Sequence, residues 1–133
     1  MYDQPCIIPI KESGDLYRLQ HDYKINLHNY GYYITITIPA GFTYDGASVP
    51  RWLWSLTGLG IDGLHRAACL VHDYLYVQRG KIISFDGAEK ISLNREQVDM
   101  IFKQMLIDAS IAEHRIAIAY KGVRWFGQSY WDS

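Results

Sequence analysis

The stretch Cys69-Leu-Val-His72-Asp73-Tyr-Leu-Tyr76 sets a histidine and an aspartate side by side inside an otherwise apolar run. Leu64 to Gln78 is apolar nearly all round, the pattern of a helix enclosed on most sides. An ionisable group buried in such a helix is strongly destabilising unless it is paired or holds a metal. Asp99 poses the same problem on a second apolar stretch further along. The fold has to supply partners for these groups. A catalytic or metal site is the leading explanation, and a purely structural network is its rival.

The chain changes character near Pro50. Before it the pattern is strand-like. Tyr23 to Leu27 and Tyr32 to Ile38 flank His28-Asn29-Tyr30-Gly31, a hairpin turn signal. Tyr32, Ile34, Ile36 and Ile38 alternate with Tyr33, Thr35 and Thr37, the period of a half-buried strand. Ile7 to Ile10 and Leu16 to Leu19 are weaker strand candidates.

After Pro50 the pattern is helical. Leu64 to Gln78 is the first helix. Ile82 to Phe85, Asp86-Gly87 and Ala88 to Ser92 then read as a small hairpin. Asn94 and Gln97 form a capping box that opens a helix to about Asp108. Ser110 and Glu113 repeat the device and open a third helix to about Trp125, with Gly127 ending it and Tyr130-Trp131 left as an aromatic tail. The expected fold is a single α+β domain over residues 1–133: antiparallel β hairpins, then three helices, the first two antiparallel across the small hairpin.

The spacing places the chemistry on the first two helices. His65, Ala68, Cys69, His72 and Tyr76 share one helical face, and Arg95, Asp99, Phe102, Leu106 and Ala109 share another. If the helices pack antiparallel, Asp99 meets His72. A carboxylate on one imidazole nitrogen fixes the tautomer and leaves the other to act as a base. Asp73 points roughly 100° further round the helix, where it can ligate a hard cation.

Other classes are disfavoured. A formal net charge of −1 and the lack of a Lys/Arg run argue against general nucleic-acid binding. Cys6 and Cys69 are the only cysteines, so there is no disulfide framework and no paired-cysteine zinc pattern. Cys69 reads as a buried, inert thiol. No signal-peptide pattern opens the sequence and no stretch reaches the length of a membrane span, which leads to the expectation of a soluble protein made in a cytoplasm. His65 and His72 lack a third ligand at zinc-like spacing, and His21, His28 and His114 read as surface or turn residues. Trp52 and Trp54 read as packing at a helix entry, with a lipid-touching lip as the sharper alternative.

Cys69, His72, Asp73 and Tyr76 match the Cys-x-x-His-Asp-x-x-Tyr signature of the small secreted calcium-dependent phospholipases that cleave the sn-2 ester, and the segment resembles it. Asp45-Gly46-Ala47-Ser48 resembles the Asp-Gly-Cys-Ser segment of their bacterial and fungal branch. The resemblance implies that His72 activates a water, and that Asp73, Asp45 and the Gly46 carbonyl bind calcium. It also implies that Asp99 orients His72, with Tyr76 bonded to Asp99. The chain departs from those enzymes at Ala47, which replaces a cysteine, and at Cys69, for which only Cys6 could serve as a disulfide partner.

The longer stretch also resembles a phage- and prophage-borne family of small domains with no assigned activity. The hallmarks are Ile38 to Pro50, His72 to Tyr76, then Arg95, Asp99 and Phe102, with a fitting helix end at Tyr120 to Trp125. Two functions follow as expectations. One is a phage-encoded, calcium-dependent, phospholipase-like ester hydrolase acting on host membrane lipid. The other is a non-catalytic tail, baseplate or connector protein that docks other phage structural proteins and in which the His-Asp network is structural. Either would be made in the host cytoplasm, and the second would be incorporated in the virion.

Overall fold

A computed structural model of the protein describes residues 7–9, 17–32, 34–44, 66–83 and 90–132. Strands come first: β1 (Ile7–Pro9), β2 (Tyr17–Leu19), β3 (Tyr23–Asn26), β4 (Thr35–Ile38) and β5 (Thr43–Tyr44). Helix α1 (Arg66–Val77) follows, then β6 (Lys81–Ile83) and β7 (Lys90–Ser92). The chain ends in α2 (Arg95–Asp108), α3 (Glu113–Phe126) and the short α4 (Gln128–Asp132). The α+β class read from the sequence is the class observed.

Among the described residues every strand pairing is antiparallel: β1-β2-β5 form one sheet, and β3-β4 and β6-β7 form two-stranded ribbons. The weak strand candidates near the start therefore pair with each other, Ile7 opposite Leu19. In β3-β4 the alternation works as expected. Ile25 faces Ile36 and Tyr23 faces Ile38, all four buried, while Lys24 and Asn26 point to solvent.

The turn between these strands is longer than a tight hairpin. Leu27–Tyr30 winds into a 3-10 turn, so β3 ends at Asn26 and β4 begins only at Thr35. The Asn26 side chain accepts from His28 N–H at 2.8 Å, and Gly31, at φ 90°, closes the turn in the left-handed region.

Helix α1 ends in a Schellman motif. Arg79 N–H donates to Tyr76 O and Gly80 N–H to Leu75 O, with Arg79 at φ 52°. Gly80 follows at φ 75°, and a Cβ there would lie 1.9 Å from the carbonyl oxygen of Leu93. Only glycine lets the end of α1 pass this close to the start of α2. The β6-β7 ribbon then carries the chain across, its turn lying outside the described residues, as do Leu64 and His65 at the expected start of α1.

The capping box on α2 is present: Gln97 N–H donates to the Asn94 side chain, and Asn94 N–H to that of Gln97, each at 2.8 Å. The matching device expected at Ser110 and Glu113 is absent. Ser110 instead closes α2, with a left-handed φ of 61°, its N–H bonded to Ile107 O and that of Ile111 to Leu106 O. This is a second Schellman motif built on a non-glycine residue, and α3 starts at Glu113 with Ala112 as its N-cap and no side-chain cap bond. Ser110 satisfied the sequence pattern of an N-cap, but the connection is so short that the end of the previous helix claims it.

Gly127 ends α3 as expected, in right-handed conformation (φ −78°), and its carbonyl accepts from Tyr130 and Trp131 N–H. The aromatic tail thereby turns back as α4, so four helices are described where three were expected. Side chains from all three longer helices and from β3-β4 form one core, centred on Leu70, Leu75, Phe102, Met105, Leu106 and Ile36.

Candidate functional site

The site forms where α1, α2 and the end of α3 meet. His72 contacts Asp99, and one turn later Tyr76 contacts both Asp99 and Arg95. Advancing along α1 while retreating along α2 defines antiparallel packing, the condition under which the sequence brought His72 to Asp99. Arg124 touches Asp99 and Tyr120 sits by Lys103, so α2 and α3 are antiparallel as well.

His72, Tyr76 and Asp99 are buried, with Asp99 at 0% and His72 at 1% exposure. His72 Nε2 lies 2.7 Å from Asp99 Oδ1, and the Tyr76 hydroxyl donates to the same oxygen at 2.6 Å. Arg124 Nη1 donates to Oδ2 at 2.7 Å, and Arg95, one helical turn before Asp99, brings Nη1 within 3.6 Å of that oxygen. Burial by itself raises the Asp99 pKa. Hydrogen bonds and charge from His72, then hydrogen bonds from Tyr76 and Arg124, outweigh it and hold the carboxyl below its ordinary range. An ionised carboxylate only accepts, so Nε2 of His72 carries the proton of that bond. In the neutral ring the lone pair is then on Nδ1, the tautomer a water-activating base requires.

The surroundings fix both rings. The imidazole lies between Tyr76 and Phe102, with ring centroids 4.3 Å and 4.6 Å away. Trp131 from α4 meets Tyr76 edge-on at 5.2 Å. Burial first, then the negative charge of Asp99, push the Tyr76 hydroxyl pKa well up, so it remains a donor. Gly127 closes the corner, where an added Cβ would lie 2.7 Å from the Tyr76 hydroxyl oxygen.

The residues implied as calcium ligands divide. Asp73 is buried on α1 at 7% exposure, and its charge adds to the burial that drives the Cys69 thiol pKa up. Asp45 and Gly46 lie outside the described residues, as do Cys6, Trp52 and Trp54. Among the described residues no three His, Cys, Asp or Glu side chains gather where they could hold a metal ion. Cys69 is a buried free thiol, and His21, His28 and His114 are exposed.

Sequence reading placed Arg95 on the Asp99 face without giving it a partner, and it missed Arg124. The Arg95–Asp99 spacing of four residues was a usable signal. Arg95 also donates to Val123 O and Arg124 O, each at 2.9 Å, and so satisfies carbonyls at the end of α3. Arg124 left no local trace, because its contact depends on how α3 packs on α2.

Among the described residues no helix is long and apolar enough to cross a membrane. No curated protein and no solved structure matches the chain. A family model described as "protein of unknown function (DUF1353)" matches residues 17–123, from β2 to the last turn of α3, and the chain belongs to that family.

Proposed function

We propose that the domain is a phage-encoded, calcium-dependent ester hydrolase of phospholipase type, in which His72 is the base. The observation that carries this reading is the shared oxygen: His72 Nε2 and the Tyr76 hydroxyl both meet Asp99 Oδ1, at 2.7 Å and 2.6 Å. Asp99 orients the imidazole and would stabilise the imidazolium formed when a water gives up its proton to attack an ester carbonyl. That step requires water to reach a His72 side chain that is 0% exposed in the resting fold. Hydrogen bonds and charge from His72, with further hydrogen bonds from Tyr76 and Arg124, keep Asp99 ionised, so the proton rests on His72 until the leaving alkoxide takes it. Asp73 would supply the hard oxygen chemistry that calcium favours, and Asp45 and the Gly46 carbonyl would be the further ligands. The bound ion would supply positive charge to polarise the carbonyl and stabilise the oxyanion.

A second reading has its own support. Asp99 is wholly buried and binds groups from α1, α2 and α3. Such a junction suits a virion component, a tail, baseplate or connector protein, in which the network fixes helix packing. Calorimetric calcium titration of the wild type beside Asp73→Asn, followed by phospholipid vesicle hydrolysis with His72→Gln, separates the two. The hydrolase reading expects calcium binding that Asp73→Asn removes and hydrolysis that His72→Gln removes without unfolding the domain. A folded wild type that neither binds calcium nor releases fatty acid sinks that reading and moves the search to purified particles and their proteins.

A further inference from the structure

The other flank of α2 and α3 carries a groove that shares no residue with the His72 network. Ile107, Ile111, Ile116 and Ala117 line its apolar part, and its volume is about 610 Å³. That size falls in the usual range of small-molecule sites, roughly 300–1,000 Å³. Ile107 is 46% exposed, an aliphatic side chain that the fold leaves open to water.

The groove has two unlike ends. Antiparallel packing brings Lys103 and Lys121 together at one end, where Lys103 Nζ stands 5.0 Å from the centroid of the Tyr120 ring. Glu113, in the first turn of α3, marks the other end beside Ile111. Two ammonium groups at one end and a carboxylate at the other favour a ligand with a single anionic head and an apolar body, and they fix its direction. A concave trough between helices suits one chain better than the flat face of a bilayer.

We infer that this groove binds a monomeric long-chain carboxylate, with its head between Lys103 and Lys121 and its hydrocarbon along the isoleucines. The inference stands on the groove alone and does not depend on the hydrolase reading, although such a carboxylate is the class of product that a lipid ester hydrolase releases.

Titration calorimetry with dodecanoate below its micelle concentration tests it, with uncharged dodecyl maltoside as control. Expected are one site per chain, at least tenfold weaker binding in Lys103→Gln/Lys121→Gln, and loss of binding in Ile107→Asp. Circular dichroism should show these surface variants folded, and His72→Gln should bind as the wild type does. Equal affinity for the uncharged amphiphile, or no binding by the folded wild type, overturns the proposal. Binding to phosphatidylglycerol vesicles without binding of free dodecanoate overturns it in favour of a membrane face. Dimerisation abolished by Ile107→Asp but not displaced by dodecanoate overturns it in favour of a second copy.

Discussion

Arg124, near the end of α3, donates to Oδ2 of Asp99 at 2.7 Å, on the side of the carboxylate away from His72. The two oxygens of Asp99 thus divide the work, Oδ1 serving the α1 rings and Oδ2 the arginines. Asp99 neutralises buried donors and joins three helices at once.

Removing that carboxylate should be costly. Asp99→Ala leaves Arg124 and the Tyr76 hydroxyl facing an apolar gap, and breaking a buried charged pair in this way costs roughly 3–5 kcal/mol. The pH dependence follows from the lowered pKa. Above the unfolded value of about 3.9 the stabilisation is fully present, and it is lost as pH falls through the lower folded value. Urea titrations from pH 6 to 2 should show wild-type stability falling below about pH 4 with a slope that Asp99→Asn flattens. An acid limb equally steep in both proteins would show that other carboxylates govern it.

The Gly127 corner predicts coupling between the end of α3 and Tyr76. A Cβ at this position would lie 2.5 Å from Val123 O and 2.7 Å from the Tyr76 hydroxyl oxygen. Gly127→Ala should therefore destabilise by about 1–3 kcal/mol, the usual range for overpacking. In a Tyr76→Phe background the hydroxyl clash disappears while the Val123 contact stays, so the same substitution should cost less but not nothing. A double-mutant cycle by urea denaturation measures the difference. Strict additivity would mean that Tyr76 moves aside freely.

The sequence disclosed elements whose signal is local. The alternation from Tyr32 to Ile38 pointed to β4, and the Asn94/Gln97 pair pointed to the start of α2, because in each case near neighbours decide the structure. His72, Tyr76 and Asp99 could be brought together because helical spacing plus one antiparallel pairing suffices. Arg124 and the turn-back of Trp131 onto Tyr76 need a third helix and a fourth, and no local pattern encodes those packings. Ser110 shows the opposite failure: its local signal was clear, but a competing use of the same residue won.

That competition makes a prediction. Ser110 and Arg79 both occupy the left-handed position that ends a helix, at φ 61° and 52°. Glycine removes the steric penalty there, so Ser110→Gly should stabilise by about 0.5–1 kcal/mol. Arg79→Gly gains the same relief but loses the 2.9 Å bond from Arg79 Nε to Trp131 O, which ties the end of α1 to α4. It should gain little or lose slightly. Urea midpoints of the two variants provide the comparison, and an equal gain in both would remove Arg79 as an anchor of α4.

Cys69 offers a direct probe of the helix that carries the site. Its thiol is buried among core side chains, and burial together with the charge of Asp73 raises its pKa, so very little thiolate exists at neutral pH. In a Cys6→Ser background, which leaves Cys69 as the sole thiol, an aromatic disulfide reagent at pH 8 should label the native protein only as fast as α1 opens. Labelling should accelerate sharply through the urea transition, at the same midpoint as loss of helical circular dichroism. Asp99→Asn should speed native-state labelling, because it loosens the network that holds α1 against α2. Rapid labelling of the folded Cys6→Ser protein would mean that this helix face is open to solvent, against the 1% exposure of Cys69.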